Sequence, residues 1–318
     1  MDANRWLGLE MRHLAALKTV ADEGGFARAA ARLGYTQSAV SQQIAALERI
    51  VGTRVLERPP GRRSAGLTPI GHVLLRHAEV MLARLHAAQA DVDALAEGAA
   101  GNLRVGTYES VGGRILPAVL REFATRWQGV GLVLREAAGD AELLGLVEQG
   151  ELDLTFAMLP ALEGPFESVQ LLRDPYVLAV AASSPLVRVG RPPTLTEIAA
   201  LPLVGFRSCR NEQRVEAHLR SRGIQPNVVF RSDHNGTVQS LVAAGVGAAL
   251  VPRLTMDAAD ERTVLLDLDG TLPPRLLGIV WHRDRYQSVA AGAFVDAARS
   301  VCARLDAPGP AQGSHPSA

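Results

Sequence analysis

Apolar residues recur at helical spacing from the start of the chain. Over 11 to 23, Leu14, Leu17, Val20 and Ala21 mark one face, and Gly24-Gly25 ends the segment. A second short helix is predicted from Phe26 to Leu33, with Ala29, Ala30 and Leu33 on one side and Gly34 supplying the chain reversal. Thr36 then stands as an N-cap before a third helix, whose apolar residues Val40, Ile44, Leu47 and Val51 step by four, three and four. The opposite face of this helix holds Gln37, Ser38, Ser41, Gln42 and Ala45, with no bulky apolar group among them.

Further along, Val55-Leu56, the segment RPPGRRSAG and Leu67-Thr68 read as a two-strand wing with an arginine-bearing tip. One long helix is predicted from Thr68 to Glu97. Its residues Leu74, Ala78, Met81, Leu85, Ala88, Val92 and Leu95 alternate spacings of four and three, the heptad seam of two wrapped helices. A helix packed on its own domain would show a similar period, and Ala78 and Ala88 make the seam weak, so dimerisation by it needs help from elsewhere. After Gly98-Ala-Ala-Gly101 the pattern changes to short apolar runs. Strands are predicted at 103–107, 131–135, 152–158, 177–181, 203–206, 228–230, 248–251, 264–268 and 276–281, with helices such as 140–150, 211–222 and 236–245 between several of them. That alternation predicts parallel sheets with crossover helices, and some 200 residues suffice for two small α/β lobes. The tail 306–318, rich in Pro, Gly and Ser, is expected to be disordered.

Composition narrows the function. A chain of 318 residues, 47% hydrophobic and 21% charged, exceeds what one core usually serves, so two or three folding units are expected. Two cysteines allow neither a disulfide framework nor a Cys-rich zinc site. No stretch reaches the ~18 apolar residues of a membrane span, and the charged N-terminal stretch does not read as a signal peptide, so a cytoplasmic protein with no membrane partner is expected. The formal net charge is zero, yet residues 28 to 63 hold seven arginines against Glu48 and Glu57, a local excess of five. A phosphate responds to the local field rather than to the total. Helix, glycine turn and helix with a polar outer face, followed by a basic wing, is the helix-turn-helix arrangement, in which the second helix enters the major groove.

The segment GGFARAAARLGYTQSAVSQQIAALERIVGTRVLER and then LTPIGHVLLRHAEVML resemble the N-terminal third of LysR-type transcriptional regulators. The paired alanines, the Ser on the recognition helix, Ile-x-x-Leu-Glu and Leu-Thr-Pro-x-Gly all stand at that family's spacing. NLRVGTYESVGGRILP, Gly-Glu-Leu-Asp-Leu and AAGVGAALVP resemble its effector domain more distantly, so the resemblance runs from about Met11 to Leu305. The chain departs from the family in having Val55-Leu56 for the usual Leu-Phe and a Pro- and Gly-rich wing, and members commonly begin where Met11 stands, which makes Met11 an alternative translational start.

The resemblance implies an N-terminal all-α winged helix-turn-helix at 11–67, a long linker helix for dimerisation at 68–98, and at 101–305 a C-terminal α/β two-lobed effector domain resembling type II periplasmic binding proteins. By that analogy the first lobe is 102–174 with 276–304 and the second is 175–275, the chain crossing near Asp174 and returning near Arg275. The function implied is that of a sequence-specific transcriptional regulator, not an enzyme and without a cofactor. It would bind double-stranded DNA at a pseudo-palindromic operator as a homodimer or homotetramer and respond to a small-molecule effector held between the lobes.

For DNA, the candidates are Gln37, Ser38, Ser41 and Gln42 for base edges, since an amide can pair bidentately with adenine, with Arg58, Arg62 and Arg63 for the backbone or minor groove. For the effector, candidates after the first strand are Thr107, Glu109 and Ser110; after later strands they are Phe206, Ser208, Cys209 and Arg210, then Asp233, His234 and Asn235. Loops after parallel strands carry function but also simply cap helices. Glu109 beside an anion site would repel acids and points to a neutral or amine-bearing effector. Cys209 sits where peroxide-sensing members of the family carry a reactive cysteine, although a bystander thiol is the default and Cys302 lies 93 positions away.

Two rival readings remain. LLDLDGTL at 265–272 resembles the first motif of haloacid-dehalogenase-type phosphatases, with Asp267 and Asp269 as nucleophile and acid. Only 46 residues follow Leu272, and the one lysine of the chain is Lys18, so a strand end and a turn at Gly270 suit these aspartates better. A solute-binding module with no DNA role is the other rival. No Gly-x-Ser-x-Gly, Walker loop or metal-spaced histidine pair is present, so neither a catalytic nor a metal site is predicted.

Overall fold

A computed structural model describes residues 5–57, 66–97, 101–207 and 210–306. The chain divides into two compact units, Met1–Ala90 and Asp91–Ala318.

In the first unit, helices α1 (Met11–Glu23), α2 (Phe26–Leu33) and α3 (Gln37–Val51) form where the spacing predicts them. Their apolar faces meet in one core of Leu14, Leu17, Val20, Ala29, Ala30, Val40, Ile44 and Leu47, all buried. Between α2 and α3, Gly34 takes the left-handed conformation (φ 69°), which a side chain resists, and this lets Tyr35 N–H donate back to Ala30 O at 3.0 Å. Strands β1 (Leu56–Glu57) and β2 (Gly66–Leu67) pair antiparallel as the base of a wing. The intervening tip, with Arg58, Arg62 and Arg63, lies outside the described residues.

Helix α4 (Pro69–Glu97) corrects one reading of its seam. Leu74, Ala78 and Leu82 are buried in the core of the head, with Met81 packed beside them. The first half of the periodic face therefore serves its own domain, by steps of four rather than by the four-three alternation. Leu85 and Val92, further along, are exposed.

In the second unit the described strands form a five-stranded sheet, a three-stranded sheet and a parallel pair. The first has the order β4 (Gly131–Glu136), β3 (Asn102–Thr107), β5 (Leu154–Leu159), β12 (Arg275–His282), β6 (Phe166–Asp174). Its face packs on α6 (Leu116–Arg126) and α11 (Val289–Asp306) through edge-on contacts of Phe294 with Phe123 and Phe156, at centroid distances of 5.6 and 6.3 Å. The Gly-Glu-Leu-Asp-Leu stretch enters β5, and Asp153 accepts from the Arg104 backbone N–H at 2.8 Å, tying β3 to β5.

The three-stranded sheet sets β7 (Tyr176–Ala181) between β10 (Ala249–Pro252) and β11 (Thr263–Asp267), both antiparallel to it. Strands β8 (Pro202–Phe206) and β9 (Asn227–Ser232) are parallel, and a bridge from Leu203 to Ala248 links them to the β10 segment.

The expectation of parallel sheets is thus corrected: β3 with β4 and β5, and β8 with β9, are parallel, whereas β12 and β7 pair antiparallel with their neighbours. Antiparallel partners that arrive from distant parts of the chain leave no crossover signature in the sequence. The sequence pattern does not predict strand β6 either; it lies at the sheet edge with only Leu172 and Asp174 of its nine residues buried, so it lacks an apolar run. Helix α11 extends through Asp306, the first residue of the expected tail, and 307–318 lie outside the described residues.

The end of β6 and the start of β12 carry a buried charge pair. Asp174 and Arg275 are register partners, joined by an ion pair at 2.6 Å and nearly inaccessible to solvent (1% and 3% exposed). Burial pushes the Asp174 carboxyl up, and the Arg275 charge and its hydrogen bonds pull the other way. Asp174 also accepts from the Leu254 N–H at 3.2 Å, so the end of β6 and the start of β12 are tied to the turn after β10.

Candidate DNA interface and effector cleft

Thr36 caps α3 by accepting from the Ala39 N–H at 3.2 Å, and its hydroxyl lies 3.0 Å from that of Ser38. Because the apolar residues of α3 point into the head, the polar side is turned outward: Gln37, Ser38 and Gln42 are exposed and Ser41 is half-buried. The face is narrow and free of large apolar groups, as entry into a groove requires. Glu48, the acidic residue of the Ile-x-x-Leu-Glu stretch, accepts from the Val55 N–H at 2.9 Å and so fastens the recognition helix to the wing. Arg28 and Arg32 pair with Glu23, Arg32 at 2.9 Å, which leaves their charge partly compensated.

In the second unit a cavity of about 230 Å³ opens between the lobes. Among the predicted residues Glu109, Ser110, Phe206, Asp233, His234 and Asn235 line it. The loops after β3, β8 and β9 bring them together, since all three strands end at this cleft. Helices α5 (Glu109–Arg114) and α10 (Asn235–Ala243) begin there as well.

Thr107 does not reach the cavity. It is buried at the end of β3, and its Oγ1 has no hydrogen-bond partner among the described residues. Arg210, at the start of α9 (Arg210–Ser221), turns to the other lobe instead: it pairs with Asp140 at 2.8 Å, at the start of α7 (Asp140–Glu148), and donates to Pro160 O at 2.9 Å. Ser208 and Cys209 lie outside the described residues.

Sequence reasoning missed Tyr108, Glu136, Tyr176, Glu212, Leu250 and Arg275 as lining residues. Tyr108, between the predicted Thr107 and Glu109, could have been found by position alone. Arg275 comes from the returning strand, and only the fold brings it here. Glu212, on α9, accepts from the Phe206 backbone and sits 3.7 Å from Arg231, yet burial outweighs both and lifts its carboxyl to about 7.

The phosphatase motif dissolves in the structure. Asp267 ends β11 and pairs with Arg253, and Asp269 and Gly270 (φ 47° and 73°) form a turn closed by Thr271 N–H to Leu268 O. No cluster of metal-ligating side chains occurs among the described residues, and among them no helix is long and apolar enough to cross a membrane.

A cored helix-turn-helix head, followed in the chain by an α/β domain with a cavity, is the architecture of a DNA-binding regulator with a ligand-binding domain. The comparisons give the family. Residues 11–72 match the bacterial regulatory helix-turn-helix protein, lysR family, and residues 96–303 match the LysR substrate binding domain. The transcriptional regulator CbbR of Rhodospirillum rubrum is 31% identical over 299 residues, covering 92% of this chain and 97% of its own. The probable regulator LrrA of Synechococcus elongatus is 29% identical, covering 95% and 100%. Among solved structures, full-length CbnR complexed with its target DNA aligns with a TM-score of 0.62 at 24% identity, over 92% of this chain and 100% of that one. The chain belongs to the LysR family of DNA-binding transcriptional regulators with an effector-binding domain.

Proposed function

We propose that this regulator reads its operator with Gln37, Ser38, Ser41 and Gln42 on base edges, while Arg58, Arg62 and Arg63 hold the phosphate backbone or minor groove. The observation that supports this reading best is the outward amide and hydroxyl face of α3, bare of apolar side chains and adjoining the wing base. Two heads on a homodimer or tetramer address a pseudo-palindromic site in the cytoplasm. Helix α4 supplies the dimer seam through its exposed second half, where Leu85 and Val92 have no cover in the monomer. The effector-binding region spans 101–305, with lobes 102–174 plus 276–304 and 175–275, and a small molecule in the cleft biases the angle between them. It acts only as far as its affinities for two lobe arrangements differ.

A DNA-binding titration on the intergenic region upstream of the gene tests the reading. Gln42→Ala is expected to relax preference at one base pair, by ~1–3 kcal/mol. Arg62→Ala is expected to weaken all sequences alike and reduce the salt slope by about one. An unchanged salt slope for Arg62→Ala overturns the wing assignment, and no shift of that DNA at low salt favours a solute-binding role instead.

A further inference from the structure

The cleft contains an internal carboxylate at the position where an acidic ligand would bind. Glu109, at the start of α5 in the first lobe, reaches across the cleft so that its Oε2 accepts from the backbone N–H of Asn235 at 2.9 Å. Asn235 is the first residue of α10, in the second lobe. The first N–H groups of a helix have no partner inside it and lie at the positive end of its dipole, so this is the point of the cleft best suited to an anion. Glu109 already satisfies it.

The rest of the lining has the same sense. Glu136 and Asp233 add two more carboxylates, Asp233 partly compensated by the exposed Arg207 at 3.8 Å, whereas the buried Glu212, lifted to about 7 and 3.7 Å from Arg231, adds only part of a charge. Arg275, the one guanidinium among the described lining residues, is committed to Asp174 at 2.6 Å and to the Ser110 hydroxyl at 3.3 Å. An incoming carboxylate would meet like charges and no uncommitted guanidinium among the described residues. An ammonium would meet carboxylates in a space also lined by the aromatic side chains of Tyr176 and Phe206, while the Tyr108 ring already faces Arg275 at 5.8 Å. A volume of about 230 Å³ lies below the ~300–1,000 Å³ usual for drug-sized ligands, so the occupant is small.

We infer that Glu109 acts as a built-in occupant of the anion position of the cleft, and that the cleft therefore selects a small amine-bearing effector with an apolar body over a carboxylate. Glu109 is thus a specificity-determining residue, and the inference rests on the reading of this cleft as the effector site. Matched probes test it on the full-length protein by calorimetric titration: benzylamine against benzoate, and isobutylamine against isobutyrate. In the wild type the amine of each pair is expected to bind at least about tenfold more tightly. Glu109→Ala frees the Asn235 N–H and removes a charge, and is expected to reverse the order. Glu109→Gln keeps an acceptor for that N–H without the charge, and is expected to weaken the amine without admitting the acid.

A carboxylate that binds the wild type as tightly as its amine overturns the inference while leaving the cleft reading intact, as does an order unchanged in Glu109→Ala. Absence of binding by every probe to all three proteins overturns the cleft reading and the inference together. Circular dichroism and thermal unfolding of the same preparations establish that each variant is folded, and a DNA mobility shift scores the DNA-binding reading separately.

Discussion

Replacing Gly71 by alanine sets two effects of opposite sign against each other. Gly71 lies in the first turn of α4, and a Cβ built there would stand 2.0 Å from Val55 O, 3.0 Å from Val55 C and 3.1 Å from a Leu67 methyl. A carbon and a carbonyl oxygen need roughly 3.2 Å between them, in line with the contact distances of close-packed interiors, so the helix start and the Val55 backbone just before β1 must separate by about 1 Å. Two hydrogen bonds close this junction, Thr68 N–H to Val55 O at 3.0 Å and Thr68 Oγ1 to Arg54 O at 2.9 Å, while the Gly71 N–H to Thr68 Oγ1 bond at 3.0 Å lies within the helix start itself. At ~0.5–1.5 kcal/mol each, loss of the two that cross costs about 1–3 kcal/mol. Helix propensity works the other way, favouring alanine by ~1 kcal/mol.

The net expectation is a head destabilised by up to about 2 kcal/mol, with weakened operator affinity because the wing moves from α3. Denaturant unfolding followed by helical circular dichroism, with a DNA titration alongside, measures both. A Gly71→Ala protein that is more stable than wild type would refute the close-approach argument and leave propensity as the governing effect.

Three further outcomes are expected. Glu212 is lifted from its ordinary 4.5 to about 7 in the fold. Between those values the native state holds more protons than the unfolded chain, so stability falls as pH rises through that window and levels off above it, by on the order of 3 kcal/mol at most. Glu212→Gln should flatten the slope in pH-dependent unfolding, and an unchanged slope would remove Glu212 as its source. Asp174→Asn leaves the Arg275 charge buried without its counter-ion and should destabilise the second unit by ~3–5 kcal/mol, whereas replacing both with apolar residues should cost less than the single change; thermal unfolding of the two variants decides. Base-pair preference in Gln42→Ala and the salt slope in Arg62→Ala remain the tests of DNA readout.

Local structure was legible because it is written in short-range periodicity. Helices α1, α2 and α3, the Thr36 cap, the Gly34 reversal and most strands of the second unit follow from spacings within a few residues, and the motifs of the head carry the family resemblance. Gly-x-Ser-x-Gly, Walker and metal patterns were equally open to inspection in the chain. The loops after the β3, β8 and β9 strands could be named as site candidates because strand ends and helix starts are local features.

What needed the tertiary structure is everything that depends on partners far apart in the chain. The antiparallel course of β7 and β12, the edge strand β6, and the use of Leu74, Ala78 and Leu82 to core the head are settled by which surfaces meet. The same holds for Glu48 clasping Val55, for Arg210 leaving the cavity to pair with Asp140, and for Glu109 meeting Asn235, 126 positions away. A residue type states what a side chain can bond to, but the neighbour that takes the bond is chosen by packing, because a buried charge or donor must be satisfied by whatever the fold brings within 3 Å or so.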